Sequence, residues 1–187
     1  MHIKMTIHLI IGRQGSGKTL FIIKKAYEYH NLGYTIYSNV HLHFPYKKLT
    51  LKDIIECKLR NAVVIIDEIH LFLSSRNSMS IISREICDGF LSMVRKAGLI
   101  IYATTQTERK VDVRFREEKD FLYICTKYAV MNNKVMEILH NQNLPINVRI
   151  IIKMEIQEMF SGSWVTFSFI GNRYFNLFDT NQIIQVK

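Results

Sequence analysis

The sequence predicts a three-layer α/β fold with a mostly parallel central sheet and antiparallel C-terminal strands. Three observations carry this. Five short apolar runs, mostly β-branched or aromatic, are separated by stretches with helical spacing. The first run passes through a glycine-rich segment directly into one of those stretches. After Thr126 the alternation stops and strand-rich sequence follows.

The first strand is expected at Thr6–Ile11, with further strands at Thr35–Ser38, Ala62–Ile66, 99–104 and 121–126. Each is short and apolar enough to be buried on both faces. A helix is predicted over Lys18–Asn31, where Leu20, Ile22, Ile23, Ala26 and Tyr27 fall largely on one side and Gly33 ends the run. A second helix is predicted over 82–97, with Ile86, Phe90, Met93 and Val94 on one face and Gly98 as its stop. Strands alternating with helices imply right-handed crossovers and a parallel sheet. Beyond Thr126, NVRIIIKMEIQ reads as strand and SWVTFSFIGNRYFNLFD as a hairpin turning at Gly171–Asn172, extending the sheet edge antiparallel. Phe160, Trp164, Phe167, Phe169, Tyr174, Phe175 and Phe178 read as strand packing. No repeat or linker divides the 187 residues, so one domain is expected.

Composition excludes several classes. With only two prolines and no low-complexity tract, disorder is not expected. The three cysteines, Cys57, Cys87 and Cys125, are far apart and form no C-x-x-C pair. That argues against a zinc ribbon and for small core residues in a reducing compartment. MHIKMTIHLI is too short for a signal peptide before the glycine segment, and no apolar run approaches the ~18 residues of a membrane span. The net charge of +9 favours a polyanionic partner such as nucleic acid.

The glycine-rich segment is GRQGSGKT, residues 12–19. Gly12, Gly17, Lys18 and Thr19 fit G-x-x-x-x-G-K-[ST] between a strand and a helix, the context a phosphate-binding loop requires. Glycines allow positive φ and remove the Cβ atoms that would keep phosphate from the backbone. Successive N–H groups at the helix N-terminus then cradle an anion. The expected nucleotide contacts are Gly12, Arg13, Gln14, Gly15, Ser16, Gly17, Lys18, Thr19 and Leu20. Lys18 would reach the β and γ phosphates and Thr19 would ligate Mg²⁺.

AVVIIDEIH, residues 62–70, is an apolar strand ending in two carboxylates. In a parallel α/β sheet the carboxyl end of a strand faces the ligand crevice. Asp67 would meet the Mg²⁺ water shell, and Glu68 would polarise a water for in-line attack. His70 reads as a surface or packing histidine. LIIYATTQ places Thr104, Thr105 and Gln106 at another strand tip, where Gln106 can both donate to and accept from a γ phosphate or attacking water. Arg76, Arg84, Arg95, Arg109, Arg114 and Arg116 follow the acidic pair, and spacing does not choose among them. SSRNSMS, residues 74–80, reads as a polar surface loop.

In GRQGSGKT, VVIIDEIH, RKAGLIIYATTQ and YFNLFDTNQII, the chain resembles the FtsK–HerA group of P-loop motor ATPases. It is most similar to the genome-packaging ATPases of membrane-containing icosahedral viruses, archaeal ones included. The resemblance implies a RecA-like, additional-strand P-loop NTPase that hydrolyses ATP with Mg²⁺. It further implies a hexameric ring of identical subunits translocating double-stranded DNA, in the host cytoplasm or the virion, with a capsid vertex as docking partner. It assigns Lys18 and Thr19 to phosphates and metal, Asp67 to Mg²⁺, Glu68 as base and Gln106 as sensor. It also suggests an arginine acting across subunits, Arg95 or Arg76 first and Arg114 third. Two other readings fit the loop. A thymidine-kinase-like nucleoside kinase shares the loop and a DE strand end, although Glu68 with Gln106 suits hydrolysis. An assembly ATPase of the zonula occludens toxin type fits as well, but those usually carry a membrane helix and none is visible.

Overall fold

The computed structural model describes residues 5–56, 58–73, 81–131, 134–137 and 148–179. Strands β1 (Thr6–Ile11), β2 (Thr35–Ser38), β3 (Lys47–Lys48), β4 (Ala62–Ile66), β5 (Ile100–Thr105) and β6 (Phe121–Met131) are accompanied by β7 (Lys134–Glu137), β8 (Arg149–Glu158) and β9 (Trp164–Ile170). Helices α1 (Lys18–Asn31), α2 (Leu51–Ile55), α3 (Ile81–Ala97) and α4 (Val113–Glu117) complete the regular structure with short 3-10 turns. One sheet runs β3-β2-β4-β5-β1-β6-β8-β9, with β7 paired to β6. Pairings from β3 to β6 are parallel, while those of β6 with β7 and β8, and of β8 with β9, are antiparallel.

The strands expected from the sequence are present, β5 shifted by one residue and β6 running on to Met131. Their side-chain alternation separates two cores. Ile7, Leu9, Ala62, Val64, Ile66, Ile101 and Ala103 face the layer that holds Phe90 and Val94 of α3. Ile10, Val63, Ile65, Ile100 and Tyr102 face Leu20, Phe21, Ile22, Ile23 and Ala26 of α1. A strand buried on both faces carries few polar residues along its length. The polar residues of β4 and β5 are therefore concentrated at the carboxyl tips. Cys87 and Cys125 are buried as expected, and Cys57 lies outside the described residues.

The C-terminal hairpin differs from expectation. It is formed by β8 and β9, and its turn carries Gly162 at φ 68. Gly171–Leu177, where the turn was expected, is a 3-10 helix. Gly171 is needed for close approach: a Cβ there would lie 2.9 Å from Leu20 Cδ2 of α1. Asn172 bonds the start of β8, its Oδ1 accepting from Ile150 N–H at 2.7 Å and its Nδ2 donating to the Val148 carbonyl at 3.0 Å. The aromatic run also divides. Phe167 and Phe169 pack near Phe21, Tyr174 packs on Phe169, and Phe178 is buried. Phe160, Trp164 and Phe175 are exposed, against the packing expected of them.

Candidate nucleotide-binding site

The site forms where the carboxyl ends of β1, β5 and β4 lie side by side. The loop leaves β1 with Gly12, Gly15 and Gly17 all at positive φ (155, 76 and 98°). Side chains are excluded at the two outer glycines. A Cβ on Gly12 would lie 2.6 Å from both the Cys125 carbonyl and Ser16 Oγ, and one on Gly17 would collide with Ile152 Cδ1. Gly17 caps α1 without any side-chain hydrogen bond, so the helix's first amides are left for a ligand.

Lys18 is buried, and its Nζ donates to the carbonyls of Gly12 at 3.0 Å and Arg13 at 3.1 Å. Ser16 Oγ is buried with no hydrogen-bond partner among the described residues. An ammonium satisfied only by loop carbonyls, an orphan hydroxyl and unspent helix amides fit a phosphate chain.

The acidic strand meets the loop directly. Thr19 Oγ1 donates to Asp67 Oδ2 at 2.9 Å, and Thr104 Oγ1 donates to Asp67 Oδ1 at 2.5 Å. Thr104 Oγ1 also accepts from Glu68 N–H at 3.0 Å. From β2, the Asn39 amide clamps the Asp67 backbone: Nδ2 donates to its carbonyl and Oδ1 accepts from its N–H, both at 2.8 Å. Burial pushes the Asp67 carboxyl up from its ordinary range, against hydrogen bonds from Thr104 and Thr19 and the Lys18 charge. A hydroxyl and a buried carboxylate 2.9 Å apart beside a phosphate cradle are a hard-oxygen donor set that suits Mg²⁺.

Glu68 turns the chain in the left-handed region, φ 54 and ψ 55. Burial and the neighbouring Asp67 charge raise its pKa. His70 Nδ1 lies 3.1 Å from Glu68 Oε2, outside hydrogen-bond alignment, and 3.5 Å from Thr105 Oγ1. His70 thus belongs to the site's edge, not to generic packing. Gln106 follows β5 and accepts from Lys110 Nζ at 2.7 Å.

A cleft of about 480 Å³ opens over the loop, lined by Gln14, Gly15, Gly17, Lys18, Thr19, Leu20 and Asp67. The C-terminal extension adds Lys127, Ile152, Phe175, Phe178 and Asp179 to the lining. Glu68, Gln106, Gly12, Arg13 and Ser16 are outside this lining.

Sequence reasoning did not single out Asn39 or Lys127, and it treated Phe175 and Phe178 as packing. The signal available for Asn39 was a polar residue just past an apolar strand, as at the DE and TTQ tips. Of the arginines, Arg114 is held by Asp112 at 2.8 Å and Asp88 at 3.2 Å, away from the cleft lining. Arg95 lies in α3 with its side chain outside the description, and Arg76 lies outside the described residues. The 74–80 loop does too. Among the described residues no helix is long and apolar enough to cross a membrane.

Strand β5 stands between the loop strand and the acidic strand, and together with this loop it defines the class: a RecA-like P-loop NTPase fold. No protein-family model and no curated protein sequence matches the chain. Solved structures do. The N-terminal domain of zonular occludens toxin from Neisseria meningitidis superposes with a TM-score of 0.62 at 16% identity, covering 93% of this chain and 98% of that one. The DNA-packaging ATPase B204 from Sulfolobus turreted icosahedral virus superposes at 0.55 and 16% identity, covering 88% and 97%. A DnaB-like replicative helicase superposes at 0.57 and 12% identity, covering 89% of this chain and 55% of the helicase. At these identities the likeness is one of fold.

Proposed function

We propose that the chain is a Mg²⁺-dependent ATPase that acts as a DNA-translocating motor in a ring of identical subunits, packaging duplex DNA into a viral capsid. The observation that carries the hydrolytic reading is the convergence of Thr19, Asp67, Thr104 and Glu68 beside the Lys18 loop. The loop amides and Lys18 hold the triphosphate. Thr19 and Asp67 would hold Mg²⁺, which would supply positive charge to offset that of the phosphates. Glu68, one residue past Asp67, takes the proton of the attacking water. Gln106, released from Lys110, orients the water. Arg95, Arg76 or Arg114 supplies the charge across the subunit boundary. The net charge of +9 and the fold likeness to the viral DNA-packaging ATPase support duplex DNA as substrate. The same reading places the protein inside the host cell or the virion, docked at a capsid vertex.

The test is phosphate release with and without duplex DNA, alongside particle mass by light scattering. Stimulation by DNA, with a multimeric mass, is expected. An unstimulated rate with a monomeric mass would remove the motor. Mixing Arg95→Ala with Lys18→Ala protein should restore some activity if Arg95 acts in trans, and strictly additive mixtures would assign that role elsewhere.

A second reading, an assembly ATPase of the zonula occludens toxin type, is favoured by the fuller superposition on the meningococcal domain. That match is to an N-terminal domain, so a membrane helix is no longer a criterion. ATP hydrolysis indifferent to duplex DNA selects this reading. Nucleoside-dependent ADP formation would select the kinase.

A further inference from the structure

The cleft is lined by more than the phosphate loop, and the residues that the extension adds have a different chemistry. Lys127 lies on β6, opposite Ile152 of β8, the residue that packs against Gly17. It is half-buried and lines the cleft, and among the described residues it has no hydrogen-bond or ion-pair partner. Removing an ammonium from water without an anion is costly, so a partly buried, uncompensated lysine in a cleft marks a place for a negatively charged ligand.

Further along, the 3-10 turn after β9 brings Phe175 to the cleft. It is 39% exposed, although the neighbouring Phe178 is buried. A phenyl face left open beside a phosphate site is a surface on which a flat ring can stack. Lys18 and the loop amides suit the phosphates, and the uncharged phenyl ring of Phe175 suits the nucleoside.

We propose that the antiparallel extension builds the nucleoside half of the site, Lys127 adding a second cation for the phosphate chain and Phe175 stacking on the nucleobase. This rests on the nucleotide reading above and divides the site between two parts of the fold.

Titration calorimetry with Mg²⁺ and two probes separates the halves. The probes are ATP and inorganic tripolyphosphate, which carries phosphates but no nucleoside. Phe175→Ala should weaken ATP by about 5- to 100-fold and leave tripolyphosphate within about two-fold, since base–aromatic stacking concerns only the nucleoside. Phe175→Trp should recover ATP affinity. Retained tripolyphosphate binding is also the check that Phe175→Ala is folded. Lys127→Met, which keeps the aliphatic stem, should weaken both probes about ten-fold. Unchanged ATP affinity in Phe175→Ala, or an equal loss on both probes that Phe175→Trp does not reverse, overturns the stacking role. Unchanged tripolyphosphate affinity in Lys127→Met overturns the cation role. Lys18→Ala keeps the two levels apart. If it loses both probes while Phe175→Ala and Lys127→Met change neither, only this inference fails. If it retains both, the phosphate-loop reading itself fails.

Discussion

The parallel half of the sheet and its antiparallel extension differ in what holds them and in what they contribute. Strands β4 and β5 are buried at every residue, whereas β9 has no fully buried residue. The parallel half is sealed by helices on both faces, so its strands are continuous apolar runs and its chemistry is displaced to the tips. The extension has one half-covered face and ends in an edge strand, so its polar and aromatic residues are mixed along its length. The glycine loop with Lys18 and Thr19, and the carboxyl tip with Asp67, belong to the parallel half. The rest of the cleft lining comes largely from the extension. The candidate catalytic residues sit on the parallel half, and the extension completes the lining of the cleft.

The sharpest test of this division is Lys18→Ala. It should abolish turnover, a loss of at least ~10³-fold in phosphate release, because Lys18 is the loop's buried cation on the cleft, whereas Arg13 lies outside the cleft lining. Retained hydrolysis would move the site out of the parallel half.

Next comes Glu68→Gln, expected to lower hydrolysis on the order of 10²-fold while nucleotide affinity by calorimetry stays within about two-fold. Equal loss of both would make Glu68 a structural residue of the left-handed turn.

Asn39→Ala removes two hydrogen bonds from the Asp67 backbone and should lower kcat about ten-fold with a small change in KM. A KM effect alone would mean that the clamp serves binding and not carboxylate placement.

In the extension the expected effects are on stability. Gly171→Ala puts a methyl against Leu20 Cδ2 and should cost about 1–3 kcal/mol in denaturant unfolding. An unchanged midpoint would show that the extension is not packed tightly on α1.

The smallest effect spans the seam between the halves. His8 of β1 stacks between Tyr102 and Phe121, with centroids at 4.2 and 4.8 Å, and contacts Tyr123 Oη at 2.8 Å. Burial, aided by the charge of Lys25, lowers its pKa from 6.5 to about 3. A depressed histidine pKa means that the unfolded chain takes up the proton first. Stability is therefore full above pH 6.5 and declines as pH falls toward 3, by at most ~1.4 kcal/mol per pH unit. His8→Phe keeps a ring in the stack and should flatten the fall in melting temperature between pH 7 and 5. An identical slope would mean that His8 titrates normally.

Much of the candidate site was legible because it is local. Gly12, Gly17, Lys18 and Thr19 sit within eight residues between a strand and a helix, and Asp67 and Glu68 end a wholly apolar strand. The extension was expected to be antiparallel, as it is, but its hairpin turn was misplaced for the same reason in reverse. Gly171–Asn172 has the local chemistry of a turn, but Gly171 is spent on contact with α1 and Asn172 on the backbone of β8. Local preference yields to packing where both compete for one residue.

The chain's own pattern determined the buried strands, the crossover helices and the phosphate loop, because periodicity and backbone conformation depend on neighbours in sequence. Only the tertiary structure decided that Asn39 holds Asp67, that Thr104 joins Asp67 to Glu68, and that Lys127 and Phe175 face the loop. Those residues come from segments far apart in sequence, and only the order and register of the sheet bring them together.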